Sequence, residues 1–378
     1  MEFDTLCLHA NHDKGNHYGA ITTPIYQSAT FAHGSIEEAS EYSYSRLSNP
    51  TRAHLEKTVA ALENGVAAFA FSSGMAAIST VMKLFSVSDH VIASADLYGG
   101  SLRLFRKINT AEGMQFDFAD TGDIPSVEAL IGEHTKAIFV ETPSNPLMYV
   151  SDIAALSSLA HRHGLLLIVD NTFLTPYYQK PLDLGADIVI HSGTKYLGGH
   201  NDTLAGFAVV KTKELAEKIA YVYKTIGAAL SPFDSFLIER GIKTLPLRMD
   251  RISANAQSIA KWLRCREEVK KVYYIGFADH KGYAVSKKQS TGFGGMISFE
   301  VESRALAEQI LSGIRVFQYA ESLGGVESLM TYPMRQTHAD VPEQERLERG
   351  INDRFLRISV GIESEHDLME DLRQAFES

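Results

Sequence analysis

The sequence predicts an α/β protein whose larger part is built on a mostly parallel β-sheet. After about residue 60, short runs of apolar and β-branched residues alternate with segments of helical periodicity. The runs are continuously apolar, which is typical of strands covered on both faces. Strands and helices that alternate in this way form parallel sheets. The predicted strands are 66–71, 90–94, 136–141, 165–170, 187–192 and 205–210.

One of the segments between these strands carries a complete helix pattern. Ile153, Leu156 and Leu159 have the spacing of one helix face. Asp152 precedes them as a suitable N-cap, and Gly164 follows as a suitable stop. We therefore expect a helix between the third and the fourth predicted strands.

The N-terminal segment differs from the rest of the chain. Residues 1–60 are rich in His, Tyr, Ser, Thr and Asn and show little helical periodicity. They are predicted to form an extended arm. Residues 61–241 contain all the predicted strands of the sheet and are expected to form the large domain.

The pattern changes again after Gly241. A long helical section with many charges covers 253–272, and strand-like runs follow at 294–301 and 355–362. Helices and strands that are segregated along the chain are typical of an α+β unit. We expect residues 242–378 to form a second, smaller domain.

Composition argues against several classes of protein. The 378 residues carry a net charge of −10, so a basic surface for nucleic acid or an anionic membrane is not expected. The two cysteines, Cys7 and Cys265, have no disulfide or metal spacing, which indicates a reducing compartment. The histidines show no metal-ligand pattern, and we find neither a signal peptide nor an apolar run of membrane-spanning length. These features predict a cytoplasmic protein without a metal site.

Polar side chains gather where the predicted strands end. Open parallel sheets bind ligands outside the carboxyl ends of their strands. Asp170 ends the fourth predicted strand, and Ser192, Thr194 and Lys195 end or follow the fifth. Gly74 follows the first strand and would open a helix, whose free N–H groups attract anions. The chain has no G-x-x-x-x-G-K-[ST] motif, so this turn is not predicted to bind a nucleotide as a P-loop.

These residue types suit pyridoxal phosphate. A lysine amine can bind the cofactor aldehyde covalently, hydroxyls and a helix N-terminus can hold the phosphate, and an acid can keep the pyridine nitrogen protonated. Taken alone, Lys195 is more simply a solvated loop lysine and Asp170 a turn acid. Together, in this order and at these strand ends, they favour a cofactor site.

The sequence also resembles a known family over nearly its whole length. The matching motifs, in chain order, are YSYSRLSNPTRAHLE, FSSGMAA, ADLYGG, ETPSNPL, IVDNTF and SGTKYLGGHND. They resemble the trans-sulfuration enzymes of Cys/Met metabolism, of the cystathionine γ-synthase and γ-lyase type, which depend on pyridoxal phosphate. The resemblance implies the PLP-dependent transferase fold type I, which is aspartate aminotransferase-like. That fold has a mostly parallel seven-stranded sheet domain and a smaller C-terminal α+β domain.

The resemblance assigns roles around the cofactor. It implies that Lys195 binds the cofactor covalently, that Asp170 pairs with the pyridine nitrogen, and that Tyr98 stacks on the ring and exchanges protons. Further cofactor contacts implied by the motifs are Gly74, Met75, Ser192, Thr194 and Asn145.

The motif Y-x-R in the N-terminal segment implies an oligomer. In the family the corresponding Tyr and Arg, here Tyr44 and Arg46, reach the cofactor phosphate of a neighbouring subunit. The segment 1–60 would then contribute to the neighbour's site. The resemblance implies at least a dimer, and usually a tetramer built as a dimer of dimers.

Substrate contacts follow from the same resemblance. The guanidinium of Arg357, in FLRISVGIE, has the planar fork that suits an amino-acid carboxylate. Ser322 and Asn145 match residues that help to hold the substrate carboxylate and the cofactor. The expected ligands are therefore small-molecule amino-acid substrates.

The resemblance also bears on the reaction. Glu321 matches an acid of γ-specific members, and Arg103 matches an arginine that contacts the distal end of cystathionine. We therefore expect γ-replacement or γ-elimination on cystathionine or an O-acylhomoserine. The alternatives are a cystathionine β-lyase, an O-acetylhomoserine sulfhydrylase, a methionine γ-lyase, or a non-catalytic regulator that binds pyridoxal phosphate. The direction of reaction, the acyl group and the choice of cysteine or sulfide as nucleophile stay open.

Overall fold

The computed structural model describes residues 1–10, 18–38, 40–336 and 343–377, and these residues form two β-sheets of seven and five strands. The strands of the first sheet are β1 Ala67–Phe71, β2 His90–Ser94, β3 Gln115–Ala119, β4 Thr135–Glu141, β5 Leu166–Asp170, β6 Ile188–Ser192 and β7 Gly206–Val210. Those of the second are β8 Val269–Tyr273, β9 Met296–Val301, β10 Gln318–Tyr319, β11 Leu329–Thr331 and β12 Phe355–Ser359.

Helices connect and cover these strands. They are α1 Phe3–His9, α2 Pro50–Leu62, α3 Gly74–Met82, α4 Gly99–Arg103, α5 Ile124–Glu128, α6 Ile153–Arg162, α7 Thr175–Tyr178, α8 Lys213–Ile226, α9 Pro232–Ile242, α10 Leu245–Arg264, α11 Tyr283–Gln289, α12 Arg304–Gly313, α13 Glu343–Glu348 and α14 Glu365–Glu377. A π-helical segment, Leu104–Asn109, continues α4. Among the helices of the described residues, none has both the length and the apolarity that crossing a membrane requires.

The first sheet is mostly parallel, as predicted. Its strand order is β1-β7-β6-β5-β4-β2-β3, and β7 alone in this sheet runs antiparallel to its two neighbours, β1 and β6. The six strands predicted from apolar runs are confirmed to within one residue at each end. The parallel strands β2, β4, β5 and β6 therefore bring their carboxyl ends to one edge of the sheet.

Both faces of this sheet are covered, which explains the continuous apolarity of its strands. In β4, Ile138 and Val140 pack into the core under α2 and α6, whereas Ala137 and Phe139 pack into the core under α3 and α8. Successive side chains of a strand point to opposite faces, so a strand with two buried faces is apolar along most of its length. Each large apolar side chain buried in this way stabilises the fold by about 1.5–3 kcal/mol.

The edge strand β3 was missed by the sequence prediction. Its residues alternate in burial, with Gln115 and Asp117 exposed and Phe116 and Phe118 partly covered. Because it pairs only with β2, it does not need the continuously apolar pattern of the central strands.

The helix predicted after the third apolar run is confirmed as α6. The Asp152 side chain accepts a hydrogen bond from the backbone N–H of Ala155 at 2.9 Å, which is the N-cap role expected of it. Gly164 adopts φ +68 just after the helix end, a conformation that glycine takes without strain.

Two local predictions were wrong. The N-terminal segment is not wholly extended, because it contains α1 and most of the 13-residue helix α2, which begins at Pro50. The helical section expected over 253–272 ends with α10 at Arg264, and the following Val269–Tyr273 forms β8. In β8 the charges belong to an exposed strand surface, where Lys270 and Lys271 are exposed, and charge alone does not distinguish such a strand from a helix.

The second sheet has the order β10-β11-β12-β9-β8, and helices α10, α12 and α14 bury their apolar faces against it. The strands predicted from GGMISFEV and FLRISVGI are confirmed as β9 and β12. Arg357 lies in the middle of β12, opposite Ser298 of β9 and Thr331 of β11. This sheet therefore carries Arg357 toward the first sheet.

Candidate active site

A cavity of about 370 Å³ lies at the carboxyl ends of the first sheet. Its wall combines the turn after β1, the ends of β4, β5 and β6, and the segment 321–323 with Arg357 of the second sheet. The sequence-predicted residues that line it are Gly74, Met75, Tyr98, Asn145, Asp170, Ser192, Thr194, Lys195, Glu321, Ser322 and Arg357. The fold thus brings together residues that lie up to 283 positions apart in the sequence, from Gly74 to Arg357.

The amine of Lys195 lies largely buried in this cavity. Its Nζ donates a hydrogen bond to Ser322 Oγ at 2.8 Å. Burial and then the nearby Arg357 lower the pKa of Lys195 to about 8, against a smaller opposite effect of Glu321. At neutral pH such an amine is neutral far more often than that of an ordinary lysine, whose pKa is about 10.4. A neutral amine is the form that attacks an aldehyde or accepts a proton.

Asp170 ends β5 on the floor of the cavity. It accepts hydrogen bonds from the Thr172 backbone N–H at 3.0 Å and from Thr172 Oγ1 at 2.5 Å. Burial raises the pKa of Asp170, whereas the Thr172 bonds and His191 lower it. An acid held in this way can pair with a protonated ring nitrogen.

The turn after β1 forms a close-fitting cradle. Ser73 caps α3 by accepting a hydrogen bond from the Ala76 N–H at 3.1 Å. A Cβ added to Gly74 would lie 3.0 Å from the Ser192 Cβ, so the helix N-terminus and the β6 end approach as closely as glycine allows. Thr194 stands beside them, with its Oγ1 accepting from the Ala205 N–H at 3.0 Å. Backbone N–H groups and hydroxyls arranged in this way suit a phosphate.

Tyr98 immediately precedes α4, as its N-cap residue, at the side of the cavity. Its backbone N–H donates to Glu141 Oε2 at 2.8 Å, and its side chain is 43% exposed. A Cβ at Gly100 would come within 2.4 Å of the Tyr98 ring, so the ring packs directly on that glycine. The ring is therefore held in place and still has a face open to a ligand.

Arg357 reaches the cavity from the second sheet. Its guanidinium donates to Asn145 Oδ1 at 2.9 Å, to the Ser322 carbonyl at 2.7 Å and to Thr331 Oγ1 at 3.1 Å. Its Nε, although buried, has no hydrogen-bond partner among the described residues. Burial lowers the pKa of Arg357 to about 10, so the group still carries its charge at neutral pH. The neutral hydrogen-bond partners leave this charge available to an anion.

Ser322 and Glu321 form the lip of the cavity. Ser322 adopts φ +84, a left-handed conformation that residues other than glycine rarely take, and such residues concentrate at functional sites. Glu321 is exposed, lines the cavity, and interacts electrostatically with both Lys195 and Arg357.

Three predicted site residues do not line the cavity of this chain. Arg103 is exposed at the C-terminal end of α4. Tyr44 and Arg46 are exposed in the N-terminal segment, where Arg46 donates to the Lys224 carbonyl and its guanidinium lies 5.5 Å from the centre of the Tyr44 ring.

Glu141 was missed as a site residue. It ends β4 and lines the cavity. The rule that identified Asp170, an acid at the carboxyl end of an apolar run, applies equally to Glu141, so the signal was present in the sequence. Thr172, the hydrogen-bond partner of Asp170, also lines the cavity and was not predicted.

A larger cavity of about 580 Å³ lies elsewhere, between the loops around Asp120 and Tyr149 and the strand β8. It contains none of the predicted site residues. Two of its basic side chains are already paired, Arg264 with Asp279 at 2.5 Å and Lys281 with Asp120 at 3.4 Å. In the described part of the chain, no group of three or more His, Cys, Asp or Glu side chains is arranged to hold a metal ion.

The residues of the 370 Å³ cavity fit pyridoxal phosphate. They supply a largely buried amine with a lowered pKa, a buried acid, a ring that packs beside them, and a cradle in which an added Cβ would meet its neighbour. Each of these groups matches a different part of the cofactor.

Comparison with known proteins supports the same assignment. The model of the Cys/Met metabolism PLP-dependent enzyme family matches residues 4–377. A cystathionine γ-lyase of Bacillus subtilis is 48% identical over 378 residues, which cover 100% of both chains. A cystathionine β-lyase of Lactococcus lactis is 48% identical over 373 residues, 99% of this chain and 98% of the relative.

The solved structures agree in fold. A crystal structure of cystathionine γ-lyase from Lactobacillus plantarum, complexed with L-serine, superposes with a TM-score of 0.98 at 46% identity. The match covers 100% of this chain and 99% of that one. The predicted PLP-dependent transferase fold type I is therefore confirmed. From its motifs, its cavity and its full-length relatives, this chain belongs to the Cys/Met metabolism PLP-dependent enzyme family.

Proposed function

We propose that this chain catalyses γ-elimination or γ-replacement on cystathionine or an O-acylhomoserine. The observation that carries the proposal is the position of Glu321, an acid on the lip of the cavity that interacts with both Lys195 and Arg357. Reaction at the γ carbon needs proton transfer at two successive carbons, whereas reaction at the β carbon needs it at one. An acid that shares the cavity with the Lys195 amine provides a second proton-transfer group, which suits the reaction with two successive proton transfers.

The second candidate is β-elimination from cystathionine. It is favoured by the 48% identity to a relative named cystathionine β-lyase, which equals the identity to the relative named cystathionine γ-lyase. Overall identity therefore does not separate the two reactions, and the groups at the cavity lip must do so.

The side chains of the cavity have different roles in the proposed reaction. Bound pyridoxal phosphate supplies an electron sink that makes the substrate carbons acidic. Arg357 binds the α-carboxylate through its planar fork, with Asn145 and the Ser322 carbonyl holding the guanidinium in place. The Lys195 Nζ accepts and returns protons near neutral pH, because its pKa is lowered to about 8. Tyr98 lines the side of the cavity and would pack on the ring of a bound cofactor.

The direct test is the product from cystathionine. β-Cleavage releases pyruvate, and γ-cleavage releases 2-oxobutyrate. We expect 2-oxobutyrate to dominate for the purified protein. Parallel assays with O-acetylhomoserine or O-succinylhomoserine, each with cysteine or sulfide, and with methionine, would identify the preferred substrate by kcat/KM. Dominant pyruvate would establish the second candidate, and a yellow, cofactor-loaded protein that turns over none of these substrates would indicate a regulator.

Glu321→Ala separates the two reactions within one protein. We expect the variant to release 2-oxobutyrate from cystathionine about 10- to 100-fold more slowly, because a group that moves or steadies a proton at the γ step is lost. Pyruvate release should change less than about threefold. The measurement is the ratio of the two keto acids at saturating substrate.

The matched control for this variant is Glu327→Ala. Glu327 lies six positions further on in the same loop and bonds Asn201 at 2.7 Å, outside the cavity. It should leave the product ratio unchanged. If Glu321→Ala lowers both products equally and also lowers the melting temperature, the acid acts only through stability.

We also propose that the segment 1–60 completes the site of a neighbouring subunit, with 61–241 and 242–378 as the two domains of each subunit. Tyr44 and Arg46 are exposed and lie outside the cavity of their own chain. An exposed arginine beside an aromatic ring suits contact with a phosphate across a subunit boundary. The assembly would be a homo-oligomer, at least a dimer and as a tetramer a dimer of dimers. The free cysteines Cys7 and Cys265 favour a cytoplasmic location.

Arg46→Ala tests this sharing of the site. We expect its cofactor dissociation constant to rise about tenfold or more, while the melting temperature of the cofactor-free protein changes little because Arg46 is exposed. The decisive measurement mixes the Arg46→Ala and Lys195→Ala proteins after subunit exchange. In a mixed dimer one site regains both residues, so activity should recover to about a quarter of the parent value. No recovery would mean that Arg46 serves its own chain.

A further inference from the structure

Two carboxylates lie side by side at the floor of the cavity. Glu141 of β4 and Asp170 of β5 are register partners on adjacent parallel strands. Their residues are 7% and 9% exposed, and both side chains line the cavity. Two carboxylates buried on neighbouring strands each disfavour ionisation of the other, because their charges repel in a poorly hydrated place. Such a pair favours a state in which one of the two holds a proton.

The hydrogen bonds and charges around the pair are unequal. Asp170 accepts two bonds from Thr172, one of them from its hydroxyl at 2.5 Å, and His191 further lowers the pKa of Asp170. Glu141 accepts backbone N–H bonds, including that of Tyr98 at 2.8 Å. Burial raises the pKa of Glu141 most, and repulsion by Asp170 and Asp96 raises it further.

The other charged groups near Glu141 do not make Asp170 the carboxylate with the higher pKa. Asp96 accepts a 2.5 Å hydrogen bond from Ser144 and adds negative charge from the β2 side. Arg357 approaches from the second sheet and interacts electrostatically with Glu141, but the hydrogen bonds of its two terminal nitrogens go to Asn145, Ser322 and Thr331. These contacts favour Glu141 over Asp170 as the carboxylate that holds the proton.

We propose that Glu141 is a positioning residue. It carries the proton of the Glu141–Asp170 pair, and it holds Tyr98 in place by accepting a hydrogen bond from the Tyr98 backbone N–H. By taking the proton it leaves Asp170 anionic, ready to pair with the cofactor nitrogen. Through Tyr98 it places the ring beside the cofactor. This inference depends on the cofactor and not on whether the β or the γ carbon of the substrate reacts.

Two variants of Glu141 separate these roles. Glu141→Gln is neutral and keeps an oxygen that can accept from the Tyr98 N–H, whereas Glu141→Ala removes the acceptor. We expect the cofactor dissociation constant of Glu141→Gln to stay within about threefold of the parent and that of Glu141→Ala to rise about tenfold. Visible circular dichroism of the bound cofactor, which reports the ring packed against it, should be kept in Glu141→Gln and reduced in Glu141→Ala.

The chain offers a matched control in Glu56. It too is a largely buried acid that accepts a strand N–H, that of Ala70 at 2.9 Å, but it lies outside the cavity. Glu56→Gln and Glu56→Ala should alter the melting temperature without changing the cofactor circular dichroism. If Glu141→Ala behaves like Glu56→Ala, Glu141 does not position Tyr98.

Infrared spectroscopy of the cofactor-loaded protein tests the proton directly and needs no turnover. At pH 8.5 we expect the carbonyl band of a protonated carboxylic acid in the parent protein. The band should disappear in Glu141→Gln and persist in Glu56→Gln, because the pKa of Glu56 is only about 7. A band that survives in Glu141→Gln would place the proton elsewhere. A tenfold loss of cofactor affinity in Glu141→Gln would likewise overturn the assignment.

Discussion

Lys195→Ala is expected to lose at least about 1,000-fold in turnover, since its amine both binds the cofactor and moves protons. The purified variant should also lack the yellow colour of the covalently bound cofactor. Its fold should persist, because the side chain's hydrogen bond to Ser322 is a single contact in a cavity that is otherwise complete. The measurements are turnover, the visible absorbance spectrum and a melting curve.

Two controls make this result specific to the amine. Lys211→Ala removes an exposed lysine just after β7 and should leave turnover and colour unchanged. Adding methylamine to Lys195→Ala should restore part of the activity, because a small amine can enter the space that the side chain leaves. Normal turnover in Lys195→Ala would show that the chemistry lies at another residue.

Arg357→Lys is expected to lower kcat/KM about 100-fold, which corresponds to roughly 2.7 kcal/mol of lost stabilisation. Lysine keeps a positive charge but lacks the planar fork that matches a carboxylate. Most of the loss should appear in KM, and the absorbance of the bound cofactor should not change.

A substrate change shows whether the lost contact is with the α-carboxylate. For the parent protein, replacing that carboxylate of the substrate by a carboxamide should cost about as much as the Arg357→Lys substitution. For the variant, the same replacement should cost little. Arg248 is a suitable control, because it is a buried arginine outside the cavity. It donates to the backbone carbonyls of Tyr196, Leu197 and Gly241 and to the hydroxyl of Thr244. Arg248→Lys should lower the melting temperature and keep the carboxylate preference.

Most of the first sheet could be predicted from the sequence because its central strands are buried on both faces. That burial leaves a signal, the continuous apolar run, in each strand. The edge strand β3 lacks the signal because Gln115 and Asp117 are exposed. For β8 the signal was ambiguous, since the charges of Lys270 and Lys271 fit an exposed strand as well as a helix face.

The residues of the candidate site also fall into those that a local sequence pattern predicts and those that it does not. Lys195, Asp170 and Gly74 were predicted because parallel strands bring their carboxyl ends to one edge, so strand order along the chain already implies proximity. Arg357 and Ser322 were placed by resemblance, because no local pattern tells that a residue of the second sheet reaches the first. Glu141 was missed although it obeys the strand-end rule, and its pairing with Asp170 depends on which strands are neighbours.

The sequence by itself determined the fold class, the family and the inventory of reactive groups, because these depend on residue type and short-range spacing. The tertiary structure decided which groups meet and in what state they meet. It buries Lys195 near Arg357, so that the pKa of Lys195 falls to about 8. It also places Glu141 next to Asp170, so that ionisation of one carboxylate disfavours ionisation of the other. Such shifts come from desolvation and from charges that are distant in sequence, and both exist only once the two sheets have packed together.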